Sequence, residues 1–400
     1  MSLESTSAAA KAAAKPALSL YAPILLAAYL LVSGNGVVAV LLPYRGHLEG
    51  MSESVIAWFG TGYFGGMLSG AFLVPVVIRS VGSRWAFVGF AALGSAAAFY
   101  LPFNISPLSW FICRSIIGLS LSALYIALEA WQNATVAGTA RAFLLSVGST
   151  IQYGAWTTGS QIFAQSEPTS PWLFIISGGL MAAATLPLLL NRVPEPPRPA
   201  RARLDLVWFF RTAPVAFFGA GFIGLSNGAF WSLNPVYGAQ IHLNAMQIGN
   251  LVTAVTVGSA LAQVPFGRLS DRMERRKVIF GLSVAAALGN FLLALFGANL
   301  PPVWLYAGFF ITAGLMMPTY YVVTAHAVDM CGASHSVMAG AAILLLYCGG
   351  AMIGPLAASA LSGIFGPGAL YGWSGTMYVL VAISTVVFGF RARRAAYAVS

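Results

Sequence analysis

Arg114, Glu129, His326 and Asp329 are ionisable residues set inside or at the ends of long apolar runs, in a chain that is only 8% charged. His326 and Asp329 stand at i, i+3 and share one helix face. An imidazole beside a carboxylate titrates near neutral pH, which makes the pair a proton-coupling candidate. The alternative is a helix end at which Asp329 bonds backbone groups of the next loop. An arginine in lipid costs roughly 2.5–3.5 kcal/mol on insertion scales, so Arg114 is expected to face a cavity or a buried partner, with a purely structural role as the alternative. Glu129 lies 15 residues further on, about 22 Å along a helix, and cannot pair with Arg114. It joins Arg114, His326 and Asp329 in the candidate coupling set.

Uncharged polar groups form a second set. Asn35 and Asn227 sit near the middle of apolar runs, where polar side chains face the interior of a bundle. With Trp231, Asn234, Tyr237, Gln152, Gln161 and Tyr321 they supply the few polar groups that a mostly apolar substrate pocket requires. Helix-to-helix hydrogen bonding is the competing role for each.

A third set is one stretch, Gly267-Arg268-Leu269-Ser270-Asp271-Arg272-Met273-Glu274-Arg275-Arg276-Lys277, in which seven of eleven residues ionise. Such a stretch belongs in water while its neighbours lie in lipid. An acid at a helix end pairs with neighbouring arginine forks and with a facing helix N-terminus. Gly267, Asp271, Arg272, Arg275, Arg276 and Lys277 are therefore candidate gating residues. A solvated basic loop accounts for the arginines and lysine but not for Gly267 and Asp271.

The elements that must position these groups follow from composition. A chain of 400 residues, 58% hydrophobic, with mean hydropathy +0.81, departs from soluble globules, which carry about 25% charged residues. Spanning helices need roughly 20 apolar residues. Twelve such runs occur, at 20–43, 54–78, 85–103, 107–133, 142–163, 171–190, 212–238, 246–266, 278–298, 301–328, 337–362 and 368–390. They are continuous and about twice the length of a barrel strand, and they lack its polar/apolar alternation. The expected fold is an all-α membrane protein of twelve transmembrane helices.

Lysine and arginine mark the cytoplasmic side. With the N-terminus inside, 18 of the 20 basic residues fall on one face, Arg45 and Arg114 being the exceptions, so both termini are expected to be cytoplasmic and the protein to lie in the inner membrane. This asymmetry accounts for the formal charge of +10 without nucleic acid. Cys113, Cys331 and Cys348 are isolated and give neither a disulfide framework nor a metal site. The Ala-rich first 19 residues read as a soft tail, and the apolar run after them exceeds a signal-peptide core of about 7–15 residues, so it reads as an uncleaved first helix.

The chain repeats itself. Asn35-Gly36 with Pro43 matches Asn227-Gly228 with Pro235 at an offset of 192; Val74-Pro75 matches Val264-Pro265 at 190; Gly118 and Asn133 match Gly314 and Asp329 at 196. Ordered pairs with a slowly drifting offset indicate duplication. The expected units are a six-helix half at 1–191, a cytoplasmic linker at 192–211 and a second half at 212–400, pseudo-symmetric about an axis along the membrane normal. That is a transporter architecture with its site between the halves.

On these residues the chain resembles the major facilitator superfamily. Its signature loop, Gly-x-x-x-Asp-Arg-x-x-Arg-Arg-Lys, is matched by Gly267 to Lys277, and Arg114-x-x-x-Gly118 is similar to a second motif, whose arginine serves proton coupling in some members. Gly350-Ala351-Met352-Ile353-Gly354-Pro355 resembles an antiporter motif that members carry in span five, whereas here span five reads Gly148 to Gly154 without Gly-Pro. The first-half loop, Arg79-Ser80-Val81-Gly82-Ser83-Arg84, has no acid, so any charge latch is expected to be asymmetric. Glu129-Ala130-Trp131-Gln132-Asn133, Asn234-Pro235-Val236-Tyr237 and Ala325-His326-Ala327-Val328-Asp329 extend the likeness, over about residues 20–390, to the YcaD-like bacterial facilitators. Ser83, Ala130, Gln132 and Val328 depart from that group's pattern.

The resemblance implies a secondary transporter moving a small solute by alternating access, coupled to a proton or cation gradient and working as a monomer in the lipid bilayer. No Walker loop or dinucleotide fingerprint occurs, so no cofactor is expected and ATP is not the driver. Sparse charge within the spans points to a neutral, amphipathic or weakly charged solute. An enzyme is not expected, because His47, His242, His326 and His335 are scattered with no His-x-x-x-x-Asp or paired-carboxylate motif. The alternative from another class is a transporter-derived sensor or scaffold that moves nothing.

Overall fold

The computed structural model describes residues 3–135, 139–191, 193, 195–196 and 204–397, with side chains for 21–131, 147–191, 193, 195–196, 204–332 and 334–388. Among these no strand occurs. The first half comprises α1 (Leu3–Leu48), α2 (Glu53–Val81), α3 (Ser83–Tyr100), α4 (Pro107–Thr135), α5 (Thr139–Ala164), α6 (Trp172–Ala183) and α7 (Leu186–Leu190). Then come α8 (Leu206–Thr212), α9 (Pro214–Gln240), α10 (Ala245–Arg272), α11 (Arg275–Phe296), α12 (Pro302–Cys331), α13 (Ser336–Phe365) and α14 (Ala369–Tyr397).

Ten described helical stretches are each long and apolar enough to cross a membrane, and α8 with α9, bent by 113°, makes an eleventh. The remaining expected span, 142–163, falls on α5. Segments α6 and α7 together form the sixth span, Trp172–Leu190. Residues 3–19, expected as a soft tail, continue α1 as helix, since alanine and lysine are strong helix formers.

Local chemistry sets the ends. Ser52 accepts from the Val55 N–H at the start of α2, and Asn244 with Gln247 makes a capping box at the start of α10. The bend before α9 comes at Ala213-Pro214, because a residue preceding proline avoids the helical region; Ala213 has φ −132° and ψ 61°.

Packing repeats between the halves as the duplication requires. Within the first half α2 packs on α4, α1 on α5 and α6, and α3 on α4 and α6. In the second, α10 packs on α12, α9 on α13 and α14, and α11 on α12 and α14, the same pairs displaced by six spans. The halves meet through α2 on α13 and α5 on α10, again a symmetric pair, with α1 and α2 also touching α9. Arg192, Arg198, Arg201 and Arg203 of the expected linker lie outside the described residues, as do the side chains of Asn133, Arg141 and the basic residues near both termini. The linker's last part is the helix α8, opened by Asp205, whose carboxylate accepts from Trp208 N at 2.8 Å. Buried Phe209, and Trp208 against His335 at 5.0 Å, dock α8 under the second half.

One end of the bundle carries Arg79, Arg84 and the Arg268–Lys277 stretch and is called the basic end below; the other is the far end.

Candidate functional site

Arg114 sits two turns into α4, and glycines bring its neighbours to it. A Cβ at Gly118 would overlap the Tyr63 carbonyl oxygen, one at Gly66 the Ser115 carbonyl oxygen, and one at Gly62 would lie 2.9 Å from the Phe111 carbonyl oxygen. The backbones of α2 and α4 therefore touch, which no larger residue permits at these positions. This contact lays the Tyr63 ring 4.2 Å from the Arg114 guanidinium carbon, a cation–π arrangement. Arg114 Nη1 also donates to Asn35 Oδ1 on α1 at 2.8 Å. Arg114 is 7% exposed and Asn35 fully buried.

The second half repeats the scaffold without the charge. A Cβ at Gly258 would overlap the Phe310 carbonyl oxygen, and Gly314, the counterpart of Gly118, faces Gly258. The position matching Arg114 at the same offset is Phe310. Asn227, the counterpart of Asn35, accepts from the Tyr378 hydroxyl at 3.4 Å and approaches Met317 Sδ at 3.8 Å. Helix α13 closes on α9 where Gly350 meets the Gly221 carbonyl and Gly354 the Leu225 carbonyl. In the first half the matching contact of α1 with α5 is made by Gly36 and Gly159, whereas Gly154 has open space around it.

Between the halves runs a cleft walled by aromatic residues. Tyr125 of α4 and Tyr153 and Trp156 of α5 face Tyr320 and Tyr321 of α12 and Tyr347 of α13, with Tyr153 interacting with Tyr321 and Tyr125 with both Tyr321 and Tyr347. Trp156 lies on Trp231 across the halves at 5.2 Å, and Tyr320 on Tyr347 at 4.8 Å. Tyr321, enclosed by these rings, is nonetheless 46% exposed, so it borders open space within the bundle. Gln152 is half-buried beside Tyr153.

Of the pocket residues expected from sequence, Trp231 and Tyr321 border this cleft, Gln152 is half-buried, and Asn35 and Asn227 are buried next to Arg114 and to Tyr378 respectively. Asn234 and Tyr237 are enclosed in the second half, where the Tyr371 hydroxyl donates to Asn234 Oδ1 at 2.8 Å and the rings of Tyr237 and Tyr371 meet edge-on at 4.6 Å. Sequence reasoning singled out only Tyr321 among the tyrosines. The missed signal was the repeat itself: Tyr125 and Tyr321 differ by 196 positions, the offset of Gly118 and Asn133, and Tyr153 and Tyr347 by 194, within the drift of 190–196.

Towards the far end the halves are fastened by polar groups. Thr157 Oγ1 bonds Thr256 Oγ1 at 2.9 Å, Ser160 bonds Thr253 at 3.1 Å, and Gln161 Nε2 donates to Asn250 Oδ1 at 3.1 Å and Thr253 Oγ1 at 2.8 Å. Thr61 donates to the Met352 carbonyl at 2.7 Å, and Gln240 donates to Glu53 at the rim. Gln161 thus joins the halves rather than lining the cleft.

At the basic end, the second half carries a set of ion pairs of its own. Asp271 is 68% exposed and pairs with Arg275, one turn away in its own stretch, at 3.3 Å. Arg275 Nε in turn donates to Asp329 at 2.5 Å, and Nη1 approaches Ser270 Oγ at 3.4 Å. Lys277 pairs with Glu274 at 3.5 Å, and Arg272 is exposed. His326 is buried one turn before Asp329, with Arg276 and Arg275 also among its charged neighbours; the Asp329 carboxylate is held by arginine. Glu129 is exposed at the end of α4, in the electrostatic reach of Tyr320.

The first-half loop, which has no acid of its own, borrows one. Glu195 reaches α3 and accepts from Ser83 N at 2.9 Å and Arg84 N at 3.2 Å, while Arg84 Nη2 donates to the Leu189 carbonyl at 2.9 Å. The preceding Gly82 has φ +87°, a conformation glycine adopts without strain, and this turns α2 into α3. The three cysteines are free and buried, and no metal-binding group of His, Cys, Asp or Glu occurs among the described residues.

Comparison with known proteins agrees with this architecture. The model of the Major Facilitator Superfamily matches residues 216–398. The chain is 24% identical over 332 residues, 82% of its length and 84% of theirs, to uncharacterized MFS-type transporters YcaD of Escherichia coli O139:H28 (strain E24377A / ETEC) and of Shigella flexneri serotype 5b (strain 8401). Among solved structures it is similar to the nucleoside transporter NupG (TM-score 0.73, 14% identity, 92% of this chain and 99% of that one) and to a variant of the Escherichia coli fucose:proton symporter FucP (0.59, 12%, 92% and 98%). The chain is a multi-spanning membrane protein with the major facilitator superfamily fold, and it resembles the YcaD-type transporters of that superfamily.

Proposed function

We propose that this protein is a secondary transporter that carries a small solute across the bacterial inner membrane by alternating access, with a proton or cation gradient as its driver. One observation carries the reading: an aromatic, polar-tipped cleft between two pseudo-symmetric halves, fastened across the halves by hydrogen bonds towards the far end. Two pseudo-symmetric halves joined by breakable polar contacts are what rocking requires. The positive-inside bias argues for a cytoplasmic basic end and cytoplasmic termini. Residues 1–191 and 212–400 act as the rocking halves, with 192–211 as the tether. Structural neighbours are named as a nucleoside transporter and a fucose:proton symporter, which supports a small polar organic solute. The direct experiment is a thermal-shift screen of purified protein against metabolites and drugs, followed by uptake of the hits into proteoliposomes. Flux of a hit supports the reading; binding without flux of any hit favours a sensor.

The exposed position of Asp271 fits a latch that engages only when the basic end closes. Asp271→Asn is expected to raise thiol labelling of cysteines placed on the cleft-facing sides of α10 and α13 from the basic face, by roughly two- to fivefold, the effect of one lost exposed ion pair. Unchanged labelling removes Asp271 from the gate. Asp329→Asn is expected to keep solute exchange and to lose gradient-driven accumulation; accumulation at the original level makes the Arg275–Asp329 pair structural.

A further inference from the structure

We propose that the solute is an amphipathic monoanion, an aromatic or other planar body bearing one carboxylate, and that Arg114 with Asn35 receives the carboxylate. The inference rests on the transporter reading of the cleft and names the chemistry the cleft accepts.

Arg114 carries a buried charge without a counter-ion. None of the ion pairs among the described residues includes it, and its partners are the neutral Asn35 and the face of Tyr63. The acids of the helices it contacts are remote: Glu53 stands ten residues before Tyr63 on α2, and Glu129 fifteen residues beyond Arg114 on α4, about 15 Å and 22 Å along their helices. A guanidinium held away from water is stabilised by an anion with matching geometry.

Asn35 adds a second, independent sign. Its Oδ1 accepts from Arg114, which fixes its Nδ2 as a donor, and Nδ2 is buried with only the Tyr63 hydroxyl near it and no well-formed hydrogen bond. Buried donors without well-formed bonds are rare, and an incoming acceptor is one way to satisfy them. The Arg114 fork makes only one hydrogen bond of the five its donors allow. The Tyr63 ring covers the face of the guanidinium and leaves N–H groups at its edge. Two neighbouring donors lacking acceptors suit the two oxygens of a carboxylate.

The cleft beyond supplies the body's site. Tyr63, Tyr321 and Tyr347 lie within electrostatic reach of Tyr125, and the Trp156–Trp231 pair spans the halves. Phenol and indole surfaces hold a planar apolar body while their polar tips stay satisfied. A cationic solute would meet Arg114 with no acid to offset it. A neutral one would leave the Arg114 and Asn35 donors unpaired.

Calorimetric titration of the purified full chain with three probes of one shape tests this: 2-naphthoate, 2-naphthamide and 2-naphthylmethylammonium. The expected result is at least about tenfold tighter binding of naphthoate than of the amide, with the ammonium weakest. Asn35→Asp gives Arg114 an internal carboxylate; it is expected to raise the melting temperature and to bring naphthoate binding down to within about twofold of the amide. Arg114→Gln is expected to remove the same preference, and Tyr321→Ala to weaken all three probes alike. The proposal is overturned if the amide or the ammonium binds as tightly as naphthoate, if no probe binds at millimolar concentration, or if Asn35→Asp leaves naphthoate binding intact. Binding is read at equilibrium, so a protein that selects naphthoate but passes no solute into proteoliposomes loses the transport reading and keeps this one.

Discussion

Gly118→Leu is expected to cost the purified protein at least several degrees of melting temperature and all cleft binding. The helix α4 touches α2 through backbone atoms at this point, and the group in the way of a new Cβ is the Tyr63 carbonyl, not the end of a side chain that could swing aside. Gly66 makes the reciprocal contact against Ser115, so the two helices are pinned twice within about one turn. Overpacking in a fitted core costs about 1–3 kcal/mol, which in a chain of this size is on the order of 1–4 °C, and more where a backbone has to move. Separating the helices also lifts Tyr63 off Arg114 and draws Arg114 from Asn35, so the effect reaches the site. Gly154→Ala is the control. Nothing lies within 4 Å of a Cβ there, and helix propensity makes the change neutral or stabilising by up to about 1 kcal/mol. Equal melting temperatures for Gly118→Leu and Gly154→Ala would mean that α2 and α4 are not in backbone contact.

The fold was legible because lipid imposes one rule on every span: backbone groups must be satisfied internally, so runs of apolar length become helices. The duplication was legible through residues that have little freedom to change, the Asn35/Asn227 and Pro75/Pro265 pairs and the glycines that let helices touch. The site was legible in part. Arg114 declared itself as a charge in an apolar run, for which a cavity or a buried partner is expected. That the partner would be Asn35, another residue singled out for its depth, depends on how α1 and α4 cross, which no local pattern contains.

Gln161 and Asn234 show the limit from the other side. Both are polar residues at depth, yet one fastens the two halves and the other holds Tyr371 within a single half. Side-chain type gives depth and polarity; only the assembled bundle decides which face is open. The tyrosines were overlooked because one tyrosine in a span is unremarkable, and their chemistry emerges when two halves set them opposite each other. Glu195 was invisible for a similar reason: the acid that serves the α3 terminus comes from more than 110 residues away.

A disulfide between Thr157→Cys and Thr256→Cys is expected to hold the far end shut. The two hydroxyl oxygens are 2.9 Å apart on α5 and α10, close enough for sulfur atoms to bond with little movement of the backbone. Alternation requires these helices to part, so oxidation traps the cleft as open to the basic end only, and a reductant releases it. Cleft access can be read without knowing the solute, from the reaction of Tyr321→Cys with a membrane-impermeant thiol reagent applied to one face at a time. Alternating access predicts that labelling from the far face falls at least about tenfold on oxidation, an equilibrium shift of about 1.4 kcal/mol or more, and recovers on reduction, while labelling from the basic face is unchanged. Far-face labelling that ignores the cross-link, or that never occurs in the reduced protein, would contradict alternating access through this cleft.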